Sequence, residues 1–202
     1  MYARVASFEG RDPSLTDELI DRVRKQGPST VPNARGFLGL FDRERGTSLG
    51  VTFFDSEQAI RESEQAFEDM AQHFSPEMRG RRTSVETYEV VIQEGGENAN
   101  AARVTSLEGS PQQLDESFAK TNEEILPRAR QLAGWKGMFA LADRSSGRVK
   151  VINLYESSAA LRASEEQANK LRQDVVASTG QRIAGVEEYE VAVSERLSEV
   201  RA

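Results

Sequence analysis

The sequence of 202 residues contains no cysteine, one histidine and one tryptophan. The lack of cysteine excludes disulfides, thiolate nucleophiles and cysteine-ligated zinc or iron–sulfur centres. No stretch approaches the roughly 20 apolar residues that span a bilayer, and the first ten residues lack the apolar core of a signal peptide. We therefore expect a cytoplasmic protein with no membrane partner.

Positively charged residues are also fewer than negatively charged ones. Lys and Arg number 26 against 33 Asp and Glu, which gives a formal net charge of −7. A net negative surface repels a phosphate backbone, so we expect no nucleic-acid partner. The 38% of hydrophobic residues and 29% of charged residues fit a globular protein, and the length permits one large domain or two of about a hundred residues.

An internal repeat decides between these two possibilities. Residues 3–10 return as residues 102–109, displaced by 99 positions, and residues 85–90 return as 186–191, displaced by 101. The second copy therefore carries two extra residues before its second strand. A polar segment with two adjacent glycines separates the copies, as a flexible connection would. We predict a first repeat over 1–94, a linker over 95–100, a second repeat over 101–194 and a C-terminal tail over 195–202.

Each copy begins with a short strand pattern followed by a helix. Asp12 supplies a candidate N-cap with Pro13 at the first helical position, and Ser110 with Pro111 repeats this signal. Gly27 is a natural terminator of the first helix. A hairpin and a second helix should follow in each copy, and a last strand closes it.

The hairpin and the second helix also recur. An Asp and a Gly bracket the predicted tight turns at residues 42–46 and 143–147. Ser56 and Ser157 are candidate N-caps of the second helices. The resulting order, βαββαβ twice, predicts two ferredoxin-like repeats in an α+β protein, each with an antiparallel sheet and both helices on one face.

The second strand of each copy is apolar on both faces, at residues 36–41 and 138–142. A sheet with one wet face alternates apolar and polar side chains, so the second face of these strands must be covered as well. Packing of the two sheets against each other is the economical cover. We therefore predict an intramolecular pseudo-dimeric α/β barrel, a monomer in which one chain supplies both halves, and leave higher oligomers open.

Four segments carry a resemblance to a known group of proteins: residues 36–39 and 134–138 around the second strands, and residues 51–59 and 152–160 at the third strand and second helix. They resemble the dimeric α/β-barrel superfamily, and within it the antibiotic-biosynthesis-monooxygenase-like (ABM-like) proteins. Each of the two repeats carries the resemblance, so it covers nearly the whole chain. It implies that a gene fusion joined the two halves. These motifs identify a fold and leave the reaction open.

The resemblance implies a small, largely apolar ligand and no cofactor, with cofactor-independent monooxygenase-like activity as one form of this hypothesis. The small residues Ser7, Gly39 and Ser63 could leave space beneath the helices, next to Phe67 on the second helix. We expect a cleft of more than about 200 to 300 Å³ in at least one half, and a structure without one would contradict this hypothesis. A non-catalytic interaction or assembly domain is the alternative from another functional class.

A second alternative is a haem-binding or haem-degrading protein that uses His73. In the haem-degrading branch of the superfamily, a histidine near the end of the second helix ligates the iron, and this is where His73 lies. The same branch uses an Asn on the first strand and a Trp on the second helix, where Ser7 and Ser63 stand here. A structural interpretation places His73 at a helix C-terminus, where an imidazolium interacts favourably with the helix dipole.

Arg4 and Arg103 recur on the first strands. Each could form a cross-strand ion pair with a glutamate of the last strand or reach into the interior and bind an anionic ligand. The candidate glutamates are Glu86, Glu89, Glu187 and Glu190.

Aromatic side chains complete the set of candidate ligand-binding residues. Tyr88 and Tyr189 recur on the last strands, and Trp135 marks a difference between the copies because Ala34 stands opposite it. We interpret the arginine-rich segment 78–82 as a solvated loop, and the glutamates of the second helix, Glu64 among them, as a solvated face.

Overall fold

A computed structural model describes residues 1–26 and 30–196 of the chain. Eight strands hydrogen-bond in the closed order β1-β3-β2-β8-β5-β7-β6-β4 and form an antiparallel barrel. Within each repeat the last strand neighbours the first, which is the ferredoxin-like order. The predicted fold class, two βαββαβ repeats in one α/β barrel, is confirmed.

The chain divides into two compact units. Unit 1 comprises Met1–Tyr88 and the chain from Val191 onward, and unit 2 comprises Glu89–Glu190. The long strands β4 and β8 each contribute one end to each unit. The division into repeats at a 95–100 linker stays a prediction.

The described residues of unit 1 form three complete strands, three α-helices and the ends of two further strands. In chain order its elements are β1 Tyr2–Glu9, α1 Thr16–Gln26, β2 Ala34–Asp42, β3 Thr47–Phe54, α2 Glu57–Gln72, α3 Pro76–Arg79 and the first part of β4 Arg81–Gly95. A 3-10 turn over Pro13–Leu15 precedes α1, with Asp12 as its N-cap, as predicted. Gly27, predicted to end α1, lies outside the described residues.

Unit 2 repeats this order with more broken helices. Its elements are the second part of β4, β5 Ala101–Glu108, α4 Leu114–Lys120, α5 Leu126–Ala129, β6 Trp135–Asp143, β7 Arg148–Tyr155, α6 Ser158–Ala163, α7 Glu165–Thr179 and the first part of β8 Arg182–Arg196. The predicted tail begins inside β8, and its residues 197–202 lie outside the described part of the chain.

Three of the four predicted caps make a side-chain hydrogen bond to a backbone N–H group. The side chains of Ser56 and Ser157 accept hydrogen bonds from the backbone N–H groups of Ala59 and Ala160. Ser110 also stands at an N-cap position and Pro111 follows it at the helix start, as predicted, but its side chain makes no capping hydrogen bond. Its hydroxyl donates to the Gln112 side chain 2.6 Å away instead, a local bond that competes with capping.

A π-helical turn over Thr121–Ile125 connects α4 to α5. It lies in the interval where the second copy gains its two extra residues, because the displacement is still 99 at Phe118 and has become 101 at Trp135. A π turn bonds residue i to i+5 and so contains more residues per turn than an α-helix. The turn therefore accommodates part of the insertion without breaking the path of the helix.

The hairpin between β2 and β3 depends on its glycine. Gly46 has φ +65°, and a Cβ built there would lie 2.7 Å from the carbonyl oxygen of Arg11. The predicted turn is therefore confirmed with a physical reason for its glycine. Beyond the turn, β2 and β3 pair antiparallel with Gly39 opposite Gly50.

Candidate functional site

Unit 1 contains a cavity between its sheet and its helices, which we call cavity 1. Its volume is about 130 Å³, so the prediction of a cleft of more than about 200 to 300 Å³ is wrong for this unit. An apolar cavity of roughly 150 Å³ holds one benzene molecule, so cavity 1 is of single-ring size. Its lining comprises Arg4, Ala6, Phe8, Leu19, Val23, Val31, Phe37, Gly39, Phe41, Ser48, Leu49, Gly50, Thr52, Phe67, Met70, Ala71, Phe74, Arg79 and Arg82.

Two strand glycines provide space in cavity 1. Gly39 and Gly50 face each other across β2 and β3. The ring of Phe37 packs over both: it would lie 3.6 Å from a Cβ at Gly50 and 3.1 Å from one at Gly39. A strand glycine commonly marks a place where another group approaches closely. In unit 2 the same pair is Ala140 opposite Val151, which removes this space.

Arg4 is the buried charge of cavity 1. Only 3% of the residue is exposed, and its Nε and Nη2 donate to the two carboxylate oxygens of Glu64 at 2.9 and 3.1 Å. The guanidinium carbon lies 3.8 Å from the centre of the Phe67 ring, so the cation stacks on that ring. The bidentate bond and the stacking hold the guanidinium in one orientation beside the apolar space.

Unit 2 contains a smaller cavity of about 70 Å³, which we call cavity 2. Its lining includes Arg103, Asn153 and Arg172 beside mainly apolar side chains. Arg172 occupies the position of Ala71 in unit 1, so a long side chain lies where cavity 1 has a methyl group. Cavity 2 is therefore both smaller and more polar at this point.

Arg103 is more extensively bonded than Arg4. Its guanidinium donates to the carbonyl of Leu161 at 2.9 Å and to the Tyr155 hydroxyl at 3.2 Å. It also forms ion pairs with Glu165 at 2.5 Å and with Glu188 at 3.1 Å. Only 1% of the residue is exposed. Such a network makes Arg103 a structural group of unit 2 in addition to a lining residue.

The comparison of sequences gives uncharacterised relatives. The sequence matches no protein-family model. The uncharacterised protein Rv2557 of Mycobacterium tuberculosis is 24% identical over 196 residues, which cover 94% of this chain and 84% of that protein. The uncharacterised protein Rv2558 of the same organism is 33% identical over 95 residues, 47% of this chain and 40% of that protein. The match thus spans less than half of this second relative.

Solved structures give the fold. An anthrone oxidase-like protein superposes with a TM-score of 0.69 at 15% identity, over 98% of this chain and 94% of its own. A monooxygenase-like protein from Listeria innocua gives 0.54 at 10% identity, over 94% and 93%. A ferredoxin-fold protein from Listeria monocytogenes related to antibiotic biosynthesis monooxygenases gives 0.52 at 8% identity, over 94% of each. The chain has the ABM-like dimeric α/β-barrel fold. The predicted resemblance is confirmed, and at these identities it establishes the fold and not the reaction.

Four of the predicted candidate residues of this ABM-like barrel line a cavity. Arg4, Gly39 and Phe67 line cavity 1, and Arg103 lines cavity 2. Neither arginine pairs with the glutamates that we named for cross-strand pairs. Arg4 bonds a helix residue, and Arg103 pairs across the ladder with Glu188, its register partner on β8.

The other polar candidates lie outside the two linings. Ser63 is fully buried, and its hydroxyl donates to the carbonyls of Pro32 and Ala59 at 2.7 and 2.8 Å, so it fixes α2 to the preceding loop. The hydroxyl of Ser7 accepts a bond from Ser84 at 3.1 Å. His73 is exposed at the C-terminal cap of α2. Its carbonyl accepts a bond from Arg22.

The tyrosine and tryptophan candidates also lie outside the linings. Tyr88 and Tyr189 are buried in β4 and β8. Trp135 packs against the apolar core of unit 2, and its indole N–H donates to Oδ1 of Asn153 at 3.0 Å. Because Asn153 lines cavity 2, Trp135 contacts that cavity through one intervening side chain.

Sequence reasoning missed two pairs of residues at the cavities. Glu64 and Glu165 bind the two buried arginines, although we interpreted Glu64 as part of a solvated face. The displacement of 101 that relates Ser63 to Ser164 also relates these glutamates, so the repeat itself carried the signal. Arg79 and Arg82 line cavity 1 although we predicted a solvated loop, because β4 begins at Arg81 and leaves little loop there.

Among residues 1–26 and 30–196, no helix is both long and apolar enough to cross a membrane. The same residues contain no group of three or more His, Cys, Asp or Glu side chains that could hold a metal ion.

Proposed function

We propose that the protein binds a small, mainly apolar molecule in cavity 1. The observation that carries the proposal is an apolar space of single-ring size, opened by the facing glycines Gly39 and Gly50 and bordered by the oriented guanidinium of Arg4. Burial of apolar surface would supply the affinity, and the few polar groups would fix the orientation of the ligand.

The test fills the space with the residue that unit 2 carries. Gly50→Val introduces the side chain of Val151 at the equivalent position, and its Cβ would meet only the Phe37 ring, at ordinary contact distance. Gly185→Val is the matched control, because this strand glycine lies in neither lining and a Cβ there meets nothing within 4 Å. Binding of toluene and indole to the full chain is measured by NMR chemical shifts.

We expect the wild type and Gly185→Val to bind the probes equally, and Gly50→Val to lose about tenfold or more in affinity because the space is filled. The proposal fails if the wild type binds neither probe near their solubility limits. It also fails if Gly50→Val binds as well as its control. The first result would favour the interaction or assembly hypothesis, and the second would place the binding outside cavity 1.

Cofactor-free oxygenation of the bound molecule is the second candidate. A guanidinium beside an apolar space favours the ionised form of a phenol, and the electron-rich phenolate is the form that reacts with dioxygen directly. One oxygen atom would replace a ring hydrogen and become a quinone carbonyl, and the second would leave as water with the two hydrogens that the phenol loses. An oxygen electrode and an electron-rich single-ring phenol test this: uptake no faster than with the phenol alone would exclude it.

Two observations count against the haem alternative. His73 is exposed and lies outside the lining of cavity 1. A volume of about 130 Å³ is also well below the 300 Å³ or more of sites that enclose drug-sized molecules. Titration with hemin of wild type and His73→Ala checks the alternative, which would need a Soret shift that the variant lacks.

A further inference from the structure

Three arginines line cavity 1, an unusual number for a space that is otherwise apolar. Arg4 comes from β1, Arg79 from the end of α3 and Arg82 from the start of β4. Charged groups are rarely buried without partners, so the partners of these three decide what chemistry the cavity offers.

Two of the three cations are balanced by carboxylates. Arg4 bonds Glu64 through two nitrogens, and Arg82 pairs with Glu68 at 2.8 Å. Arg79 differs: its Nε is buried and has no hydrogen-bond partner. The described residues thus leave one guanidinium at the cavity without a carboxylate of its own.

An unpartnered buried donor in a folded protein needs an explanation, and a missing ligand is one of the few available. All four of the buried, unpartnered side-chain atoms found in the described residues belong to residues that line cavity 1 or cavity 2. In cavity 1 this atom is a donor on a permanent cation. The complementary ligand group is an anionic oxygen acceptor, which guanidinium groups bind with short, charge-assisted bonds.

The rest of the cavity selects the body of the ligand. Phe37, Phe41, Phe67 and Phe74 supply aromatic surface around a space of about 130 Å³. Flat rings pack against such side chains edge to face or offset, and a single ring matches the volume. The ligand chemistry is therefore a ring with one anionic oxygen group.

Cavity 2 also has buried Nε atoms without a partner, those of Arg103 and Arg172, but both of these guanidinium groups form ion pairs with glutamates. The positions of Arg79 and Arg82 correspond to Gly180 and Ile183 at the displacement of 101. In cavity 2 the additional cation is Arg172, and it pairs with Glu165 at 2.7 Å. Among the described residues that line the two cavities, Arg79 is therefore the guanidinium without an ion pair.

We propose that cavity 1 selects a single-ring aromatic molecule carrying one anionic oxygen group, and that Arg79 is the residue that recognises this group. The inference rests on the proposed function, since it names the ligand class of the same cavity. Carboxylate and phenolate share the required chemistry.

The experiment compares three probes of similar shape on the full chain: benzoate, its neutral counterpart benzamide, and toluene. Arg79→Met removes the cation and keeps an apolar stem of similar length, and Arg79→Lys restores a positive charge. Arg81→Met is the matched control, because Arg81 is an exposed neighbour that pairs with Glu9 and lines neither cavity. Affinities come from NMR titration, and circular dichroism confirms that each variant is folded.

We expect the wild type and Arg81→Met to bind benzoate about tenfold or more tighter than benzamide. Arg79→Met should abolish this preference without changing toluene affinity, and Arg79→Lys should restore part of it. If toluene binds but benzoate is no better than benzamide, or if Arg79→Met keeps the preference, the inference is wrong while the proposed function stands. If no probe binds, the proposed function is wrong and the inference falls with it.

One further probe, 4-nitrophenol, distinguishes a preference for a phenolate from a preference for a carboxylate. The absorbance of 4-nitrophenol reports its ionisation directly, so binding to cavity 1 at a fixed pH near neutrality should increase the phenolate band if a phenolate is preferred. Tight benzoate binding with no change of this band assigns a carboxylate. A band that grows equally with Arg79→Met would contradict the role of Arg79.

Discussion

The two units share a scaffold and differ in what they place beneath their helices. In unit 1 a pair of facing glycines opens an apolar space, and a buried arginine stacks on Phe67 at its side. In unit 2, Ala140 and Val151 occupy the positions of these glycines, and Arg172 extends into the corresponding space. A duplicated unit can keep its strand order while one copy retains a cavity and the other fills much of it with larger side chains.

The largest expected effect concerns the two buried arginines. Arg103→Met should destabilise the protein by about 3 kcal/mol or more, because it removes a guanidinium that bonds Leu161, Tyr155 and two glutamates. Arg4→Met should cost about 1 to 2 kcal/mol, since its hydrogen bonds go to Glu64 alone and that carboxylate is 45% exposed. Urea unfolding at pH 7 measures both. Equal losses in the free energy of unfolding would show that the two arginines stabilise their units to the same extent.

The second effect tests whether Arg172 is what fills cavity 2. Arg172→Ala introduces the residue that unit 1 carries at position 71 and removes the pair with Glu165. We expect a stability loss of about 1 kcal/mol, since Glu165 is half exposed, and new binding of toluene in unit 2. NMR shifts of methyl groups around Val151 report the binding. If Arg172→Ala does not bind toluene, side chains other than Arg172 limit the volume of cavity 2.

Much of the fold could be predicted from the sequence because its signals are local and occur twice. The Asp12 and Ser56 caps and the hairpin glycine at Gly46 each satisfy a backbone requirement that depends on a few neighbouring residues. The π turn over Thr121–Ile125 could not be placed, because the sequence shows that two residues were added but not which hydrogen-bonding pattern absorbs them.

The site was less predictable for a different reason. Arg79 and Arg82 have no counterpart in the second copy, so the repeat gave no reason to single them out, and only the short turn before β4 brings them to the cavity. Glu64 stands among other helix glutamates of similar pattern, and its role depends on a contact with Arg4 sixty positions away. Contacts of this range depend on packing, which periodicity does not reveal.

The third effect should be equal in the two units. Ser56→Ala and Ser157→Ala each remove a side-chain acceptor from a helix start, where one backbone N–H loses its partner. Each change should cost about 1 kcal/mol in thermal or urea unfolding. A difference of more than about 1 kcal/mol between them would show that the shared scaffold is less uniform than the matching caps indicate.

The smallest effect separates the two hairpins by their response to acid. Burial alone would raise the pKa of Asp143, but hydrogen bonds from the hydroxyls of Ser145 and Ser146, the backbone N–H of Ser145 and the Arg148 guanidinium hold this pKa below its ordinary value. A carboxyl whose pKa is lowered by folding stabilises the protein above its unfolded value, near 4, and this stabilisation is lost as the pH falls towards the folded value.

Asp143→Asn should therefore cost about 1 kcal/mol at pH 7, and the difference from wild type should shrink below about pH 4. In the first hairpin, Glu44 and Arg45 stand in place of the two serines, and Asp42 accepts hydrogen bonds from their backbone N–H groups without a hydroxyl donor. Asp42→Asn should accordingly cost less at pH 7. Urea unfolding of both variants between pH 3 and pH 7 measures the contrast, and a gap for Asp143→Asn that stays constant across this range would contradict the role assigned to its carboxylate.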